Sequence, residues 1–448
     1  MSQQYVSSSD AERKDLMLKM RTGDRSISNK KIAEIFAIDP FMDAYDLELD
    51  ELDPSHPAYF ANDTLWPHFE RLRNEDPVHF HENSMVGPYW SVSKYQDIMY
   101  IDSHHELFSS QQQKGGIALG GIPQDDQYAL PMFIQEDPPK HDAQRKVVTP
   151  MFIPRQLADL EPLIRSRAGE ILDNLPRNEE FNWVKQVSVE LTAQMLATLF
   201  DVPQEDRLKL IEWSDTIQNL ADPDFFESVD EGFQTLFECL AYFQALYEQR
   251  KKEPPKFDLI SMLAHDESTN NMEPMELLGN VMLLIVGGND TTRNSISGGV
   301  LALNQNPAEY QKLLQNPALV PKMVPEIIRW QTPVAHMART ATQDVELGGK
   351  LIKKDDRVCM WYISGNRDED IIENASEFII DRHNPRQHTA FGYGVHRCVG
   401  NRLAEMQLRV IWEEIIKRFG KIEVTSEPIL LASNFIHGIR DLPVTLRE

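Results

Sequence analysis

The stretch Phe391-Gly-Tyr-Gly-Val-His-Arg-Cys-Val-Gly400 places one cysteine, Cys398, in a glycine-rich loop directly before a predicted helix. Apolar residues recur at helical spacing from Ala404 to Phe419, which indicates that one face of this helix is buried. The first turn of a helix offers free N–H groups and a positive dipole, and both lower the pKa of a nearby thiol. Glycines such as Gly394 and Gly400 let a flat ligand approach the backbone closely. We therefore predict a thiolate beside a flat ligand at Cys398.

The composition is that of a large globular protein with an acidic surface. The chain has 448 residues, of which 41% are hydrophobic and 26% are charged. A prior of about 150 residues per domain allows up to roughly three domains. Asp and Glu number 70 against 45 Lys and Arg, which gives a formal net charge of −25. Such a charge disfavours binding to phosphate backbones, so we expect no nucleic-acid partner.

The three cysteines, Cys239, Cys359 and Cys398, lie far apart and form no C-x-x-C pair. An odd number at such spacing does not suit a disulfide framework, so a reducing compartment is expected. We interpret Cys239 and Cys359 as buried free thiols, the usual role of isolated cysteines. The N-terminal sequence has no apolar signal region, and apolar runs such as 281–286 are too short to span a bilayer. We predict a cytoplasmic protein without a membrane anchor.

The hydrophobic pattern divides the chain into an N-terminal extension and a body. Residues 1–64 are polar and then acidic, and we expect them to form an extension packed on the body. A short helix to about Asn74 and two alternating strands open the body, which indicates a small sheet. The Gln- and Gly-rich stretch 111–131 is predicted to be a long mobile loop and a candidate lid.

Most of the body has the 3.6-residue apolar period of helices. Helices are predicted over 160–175, 184–200, 206–220, 228–252, 275–305 and 320–331. Strand-like pieces return at 345–349 and 357–363. The predicted fold class is therefore mainly α with a small β region.

A second unusual stretch, Gly287-Gly288-Asn-Asp290-Thr291-Thr, interrupts the predicted helix 275–305. Two adjacent glycines in a helix cost on the order of 1 kcal/mol each relative to alanine. Thr291 lies four residues after Gly287, so its hydroxyl is expected to bond back to that carbonyl and open the helix locally. A helix crossing that needs small residues would explain the glycines alone, but the adjacent acid and alcohol favour a functional role.

Read at Phe391, Gly394, His396, Cys398 and Gly400, the cysteine loop has the pattern F-x-x-G-x-H-x-C-x-G and resembles the haem-binding loop of the cytochromes P-450. This resemblance implies a single cytochrome P-450 fold: a triangular prism of helices with haem b (iron protoporphyrin IX) between a long distal helix and the thiolate-side helix. It extends from about residue 65 to the C-terminus. Residues 65–448 are therefore expected to form one haem domain, against the three-domain prior.

The resemblance assigns roles to residues around the haem. Cys398 is the expected iron ligand. His141 and Arg145, at i and i+4 on one predicted helix face, are expected to bind the propionates together with Arg339 and His396, although each alone is more often a solvated side chain. The full predicted haem contact set is His141, Arg145, Gly287, Gly288, Arg339, Phe391, Gly392, His396, Cys398 and Gly400.

Three further residues are expected to be structural. Glu326 and Arg329 are spaced at i and i+3, which by itself usually indicates only a surface ion pair. The pair resembles the E-x-x-R pair of the family, and Arg382 falls where the third member of that buried network is expected. We predict that these residues hold the core of the haem loop without contacting substrate.

The same resemblance implies oxygen activation, with Asp290 and Thr291 relaying protons. Thiolate ligation pushes electron density onto iron and favours O–O cleavage. Electrons are expected from an iron–sulfur ferredoxin and its NAD(P)H-dependent ferredoxin reductase. A docking surface for an acidic ferredoxin is predicted from the cations Lys140, Arg145, Lys146, Arg386, Arg397 and Arg402.

In the residues within these motifs and in its long N-terminal segment, the sequence is similar to bacterial alkane and fatty-acid terminal hydroxylases. Attack at a terminal methyl requires a narrow apolar channel, because a primary C–H bond is stronger than its secondary neighbours. The residues expected to line this channel are Ile117, Leu119, Leu284, Gly287, Val334, Phe435 and Ile436.

Alternatives remain at this stage. The same chemistry could act on a bulkier terpenoid or steroid. A haem-thiolate sensor without turnover is a candidate of another class, against which the intact Asp290–Thr291 pair argues. Catalysis driven by peroxide usually accompanies loss of that pair.

Overall fold

A computed structural model of the chain describes residues 28–120, 128–220 and 222–447. Part of the predicted N-terminal extension, residues 1–27, therefore lies outside the described residues. The same holds for residues 121–127 of the predicted 111–131 loop.

Helices make up most of the described chain. The α-helices, in chain order, are α1 Asn29–Ile35, α2 Pro57–Ala61, α3 Trp66–Glu75, α4 Tyr95–Ser103, α5 Lys140–Val148, α6 Pro154–Asp173, α7 Val189–Phe200, α8 Arg207–Gln218, α9 Val229–Arg250, α10 Leu259–His265, α11 Pro274–Gln305, α12 Pro307–Gln315, α13 Val320–Gln331, α14 Tyr362–Gly365 and α15 Asn401–Arg418. None of these helices is long and apolar enough to span a membrane.

The strands are short and lie mostly at one side of the helical body. They are β1 Val78–His81, β2 Tyr89–Val92, β3 Phe108–Ser109, β4 Glu180–Asn182, β5 Met337–Ala341, β6 Val345–Leu347, β7 Lys350–Ile352, β8 Arg357–Met360, β9 Lys421–Val424, β10 Ile429–Leu430, β11 Ile439–Asp441 and β12 Pro443–Arg447. The predicted class, mainly α with a small β region, is confirmed.

The largest sheet has the strand order β1-β2-β8-β5-β3. Strands β2 and β8 pair in parallel, with Ser91 opposite Cys359, whereas β5 pairs antiparallel with β8. This arrangement brings strands from the first hundred residues beside strands from 337 to 360. Parallel strands require a long crossover connection, which is why the sequence pattern alone predicts two separate strand groups.

Helix α11 is the centre of the helical core. Most of its residues are buried, and it packs against α7, α8, α9, α13 and α15. A helix that is apolar on nearly all sides is stable only inside a protein, surrounded by other helices. The large buried cluster around it includes Phe243, Ile285 and Trp412.

Helix boundaries depart from the predicted ones for local reasons. Helix α6 starts at Pro154, six residues before the predicted start, because proline suits the first turn of a helix. The predicted helix 184–200 is a π-helical turn, Val184–Ser188, followed by α7. Cys239 and Cys359 are buried free thiols, as predicted.

The described part of the N-terminal segment contacts the body at several points. The Asn29 side-chain amide donates to the carbonyls of Leu220 and Phe226, both at 3.0 Å. Arg71 of α3 donates to the carbonyls of Ala44 and Leu47 at 2.5 and 2.7 Å. Residues 28–64 therefore share polar contacts with both ends of the helical body.

Candidate active site

Cys398 lies in the loop between a 3-10 turn, Gly394–His396, and the start of α15. Its backbone N–H donates to the Phe391 carbonyl at 2.8 Å, which closes the loop. The side chain keeps accessible surface, unlike those of Cys239 and Cys359, yet the burial of its surroundings raises the pKa of the thiol. The two observations agree because a group that lines a recess inside the fold is both accessible and surrounded by protein.

The pKa of Cys398 differs from the sequence-based prediction. Burial raises it, and this effect outweighs the lowering by the N–H groups of Gly400 and Asn401 and by the cations Arg145 and Arg397. The lowering that the helix terminus predicts is present, but desolvation of the charged form is the larger effect. A coordinated metal ion deprotonates a thiol outright, so the surroundings of Cys398 suit a metal-bound sulfur.

The helix α11 supplies a second, glycine-lined surface. Gly287 is exposed although its neighbours Ile285 and Asn289 are buried, and a Cβ there would meet no atom within 4 Å. The Thr291 hydroxyl donates to the Gly287 carbonyl at 2.9 Å, as its spacing predicts. The helix nevertheless runs unbroken from Pro274 to Gln305, so the local opening expected from the sequence is wrong.

Gly288 has a different environment from Gly287. A Cβ on Gly288 would lie 2.8 Å from a side-chain carbon of Leu196 in α7. The structure therefore places Gly288 against a neighbouring helix, and its predicted haem contact stays a prediction. Close packing of two helices, which requires a small residue at the crossing, accounts for this glycine.

Asp290 is fully buried and faces α8. Its carboxylate accepts from the Ser214 hydroxyl at 2.6 Å and pairs with Arg293 at 2.8 Å. Burial raises the pKa of Asp290, while Arg293 and Ser214 oppose that rise. Arg293 also pairs with the half-exposed Asp215 at 2.8 Å, which connects the buried acid to the protein surface.

A group of buried polar side chains lies next to the cysteine loop. The rings of His141 and His396 lie 4.3 Å apart, and His396 Nε2 is 2.9 Å from the Ser110 hydroxyl. Two buried ring atoms, His141 Nε2 and His396 Nδ1, have no hydrogen-bond partner among the described residues. Buried polar atoms are nearly always paired in folded proteins, so these two fit a polar group of a bound ligand. Burial lowers the pKa of both imidazoles.

The two predicted arginines reach this region by different routes. Arg145 donates to the Arg397 carbonyl within the cysteine loop. Arg339, in β5, pairs with Asp102 at 3.1 Å. The structure thus brings His141, Arg145, Arg339 and His396 around one loop, as their predicted shared role requires.

Asp102 was missed by the sequence-based reasoning. Besides Arg339, it accepts from the Tyr362 hydroxyl at 2.7 Å and from the Tyr393 backbone N–H at 3.0 Å. It therefore joins the sheet to the cysteine loop. A signal exists in the sequence: Asp102 shares a helix face with the buried Ile98, and a carboxylate on an apolar face must have partners.

Gly392 and Gly394 shape the loop around that carboxylate. Both have positive φ, +63° and +64°, where side chains with a Cβ are strained. A Cβ on Gly394 would lie 2.0 Å from the Asp102 carbonyl oxygen. Around Gly400, in contrast, the nearest atom to such a Cβ is 3.9 Å away, in Phe152.

The predicted structural triad lies directly behind the loop. Glu326 accepts from Arg329 at 2.7 and 2.8 Å and from Arg382 at 3.0 and 3.2 Å. All three side chains are buried. Arg329 also donates to the carbonyls of Asn366 and Ala375, so the triad fixes the irregular chain that leads to the loop.

Five of the predicted channel residues come together through backbone contacts. The Ala338 N–H donates to Ile117 at 2.7 Å, and Val334 forms a β-bridge with Ile436. The Leu119 side chain, however, packs in a buried cluster with Phe60 and Trp361 and so favours a structural role. The predicted residues brought near one another are Ile117, Leu119, Val334, Phe435 and Ile436.

The remaining predicted channel residues, Leu284 and Gly287, lie one turn apart on α11. The C-terminal segment runs beside this helix, because the Ile439 N–H donates to Asn294 Oδ1 at 2.9 Å. These elements supply a thiol, a glycine face with open space, two buried ring nitrogens without a hydrogen-bond partner among the described residues, and apolar side chains. This donor set fits an iron porphyrin with two carboxylate side chains.

Replacing Asp102 with asparagine tests whether this carboxylate connects strand β5 to the cysteine loop. One amide N–H would then face a donor, either Arg339 or Tyr393, and a buried cation would lose its partner. We expect a loss of about 3 kcal/mol in the free energy of unfolding, measured by urea denaturation. Asp97→Asn, on the same helix, is the matched control and should have little effect, because Asp97 is only partly buried. Equal free energies of unfolding for the two variants would contradict this connecting role of Asp102.

Comparisons with known proteins agree with this geometry. The family model described as Cytochrome P450 matches residues 65–434. Linalool 8-monooxygenase of Pseudomonas putida is 36% identical over 88% of this chain and 98% of its own length. The methyl-branched lipid omega-hydroxylase of Mycobacterium tuberculosis is 33% identical over 84% of this chain and 90% of its own. The solved structure of cytochrome P450-153 from Novosphingobium aromaticivorans is 44% identical, covers 88% of this chain and 99% of its own, and superposes with a TM-score of 0.84. The chain therefore belongs to the cytochrome P450 family of haem-iron monooxygenases.

Proposed function

We propose that this enzyme hydroxylates the terminal methyl of a medium-chain alkane or fatty acid. The observation that carries the proposal is that backbone contacts bring together apolar residues from three distant segments, Ile117, Val334 and Ile436. Such a lining suits an unbranched apolar chain. The relative named as a methyl-branched lipid omega-hydroxylase supports the same outcome.

The proposed cofactor is haem b, with Cys398 as its iron ligand and the propionates bound by His141, Arg145, Arg339 and His396. When bound, the haem supplies the oxygen activation and C–H oxidation chemistry. The protein supplies orientation. Because secondary C–H bonds are weaker than the terminal one, the apolar residues must keep the chain's interior away from the reacting centre.

Proton delivery is proposed to use Asp290 and Thr291. The buried Asp290 carboxylate is linked to the surface through Arg293 and Asp215, and Thr291 lies on the face of α11 that carries Gly287. A positioned carboxyl group can transfer protons that bulk water does not reach. Asp290 Oδ1 or Oδ2 would carry the proton, and Thr291 Oγ1 would hold it beside the substrate.

Asp290→Asn tests this relay. We expect kcat to fall about a hundredfold, the usual size of a lost general acid. Because burial raises the pKa of Asp290, its proton persists to higher pH than in an ordinary Asp. Turnover in the wild type should decline as pH rises through that pKa, and the variant should lose this limb of the profile. Glu212→Gln, an exposed change on α8, is the control. A variant with wild-type kcat and pH profile would contradict the relay.

Electrons are proposed to come from an iron–sulfur ferredoxin with its NAD(P)H-dependent reductase. The exposed cations Lys146, Arg397 and Arg402 form no ion pair within the described residues, so they are available to an acidic partner. Lys140 and Arg386 are instead paired with Glu136 and Glu405. The three unpaired cations therefore carry most of the proposed docking.

Charge reversal tests the docking surface. The double variant Lys146→Glu, Arg402→Glu should lower the ferredoxin-supported rate several-fold and flatten its dependence on salt, because steering by opposite charges is screened by ions. The double variant Lys353→Glu, Lys354→Glu changes the net charge equally at the exposed turn after β7 and should keep the wild-type rate. Unchanged rate and salt dependence in the first variant would refute this surface.

A second candidate substrate is a terpenoid alcohol, which the relative named linalool 8-monooxygenase favours. A haem-thiolate sensor without turnover is no longer supported, because the chain belongs to a family of monooxygenases. The two substrate classes differ in shape, so binding assays separate them.

Substrate titration with product analysis tests the proposed function. Alkanes and fatty acids of increasing length, together with linalool, would be titrated while the haem spin-state shift is followed. We expect the largest shift for a medium-length chain and a product mixture dominated by the terminal alcohol. Subterminal alcohols as the main products would refute terminal attack, and a larger shift with linalool would favour the terpenoid candidate.

A further inference from the structure

His336 is a fully buried imidazole in the short connection between α13 and β5. Its Nδ1 lies 2.8 Å from the Asn434 carbonyl oxygen. Its Nε2 accepts from the Leu119 backbone N–H at 3.2 Å. One side chain thus bonds two segments that are 315 residues apart in the chain, residues 119 and 434.

The partners determine the protonation of this ring. A carbonyl oxygen only accepts and a backbone N–H only donates, so the ring carries its proton on Nδ1 and a lone pair on Nε2. Burial lowers the pKa of His336 to about 4, with Arg357 acting in the same direction and the Asn434 contact opposing it. The imidazole is therefore neutral at neutral pH, the form that both bonds require.

Both segments bonded by His336 carry proposed channel residues. The first holds Ile117 and Leu119, and the second holds Phe435 and Ile436. The His336 ring also packs edge-on against Phe435, with ring centroids 5.4 Å apart.

Backbone bonds attach each segment to the strand region separately. The Ala338 N–H donates to Ile117 at 2.7 Å, and the Ala335 N–H donates to Phe435 at 2.9 Å. Only His336 contacts both through a single side chain in the described part of this junction. Its loss would leave the buried N–H of Leu119 and the part-buried C=O of Asn434 without these partners, one on each segment.

The N-terminal segment meets the same junction. The Asn434 side-chain amide donates to the Ser55 carbonyl at 2.6 Å. Ser55 is buried and its hydroxyl bonds Ser84 at 3.1 Å. Asn434 therefore links His336 to the segment that precedes the family-matched part of the chain.

We propose that His336 is a positioning residue that sets the regioselectivity of oxidation by holding the 117–119 and 434–436 segments at a fixed separation. This inference rests on the proposed function, because it assumes that these segments line the substrate channel. A fixed separation keeps the channel narrow, so only one end of a chain-shaped substrate reaches the reacting centre. A loosened junction would admit bent chains and expose their interior C–H bonds.

Three variants separate positioning from general stability. His336→Leu keeps the approximate volume and removes both bonds. His336→Gln keeps one donor and one acceptor. His265→Leu is the matched control, because both ring nitrogens of His265 also lie within hydrogen-bond distance of backbone atoms, the carbonyl oxygens of Ser261 and Glu253, but the residue lies in α10.

The probes are dodecanoate and octane, followed by haem spin shift and product analysis. We expect His336→Leu to raise the dissociation constant and to lower the ratio of terminal to subterminal alcohol, each several-fold. His336→Gln should recover much of that ratio, and His265→Leu should keep the wild-type ratio. A folded, haem-loaded His336→Leu protein with the wild-type ratio and affinity would overturn the proposal.

Two further outcomes keep the test decisive. If the wild type makes no terminal alcohol from either probe, the proposed function fails. The positioning role of His336 is then tested by the same comparison of affinity and product ratio with linalool as the substrate. If His336→Leu does not fold, hydrogen exchange of the 115–120 segment in the wild-type holoenzyme decides. Slow exchange of the Leu119 amide supports the positioning role of His336, and exchange at the rate of an open loop would refute it.

Discussion

The site depends on the sulfur of Cys398 and on the opposing electrostatic effects of its surroundings. Burial disfavours the charged form of Cys398 more than the adjacent N–H groups and two arginines favour it. A positive charge close to the sulfur would favour the thiolate. A haem iron bound by Cys398 would supply that charge, and the sulfur would donate electron density to it. The loop, its glycines and the helix behind it all serve to hold that sulfur at the recess.

Two sets of buried polar side chains connect the cysteine loop to the rest of the fold. Asp102 joins the sheet to the cysteine loop, while the Glu326 triad fixes the irregular chain before it. Helix α11 carries Gly287 and Thr291 on one face and buries Asp290 on another. The acid and the alcohol thus have different environments although they are neighbours in the chain. In the proposed relay, Asp290 would exchange protons with the surface and Thr291 would lie beside the substrate.

Local spacing made much of the site predictable. The bond from Thr291 to Gly287 and the pairing of Glu326 with Arg329 follow from i+4 and i+3 geometry, which a helix imposes on any sequence. Asp102 and His336 could not be predicted in the same way, because their partners lie between 98 and 291 residues away in the chain. The net direction of the pKa of the thiol could not be predicted, because a helix terminus is visible in a sequence, whereas the depth of burial is a property of the folded chain.

The absorption spectrum of the reduced, carbon monoxide-bound protein tests the central claim most directly. Thiolate ligation by Cys398 predicts a strongly red-shifted Soret band in the wild type, which Cys398→Ala should abolish. Cys239→Ser, which changes a thiol buried elsewhere, should keep the band. A wild-type protein without the red shift, or a Cys398→Ala protein that retains it, would contradict the assignment of Cys398 as the iron ligand.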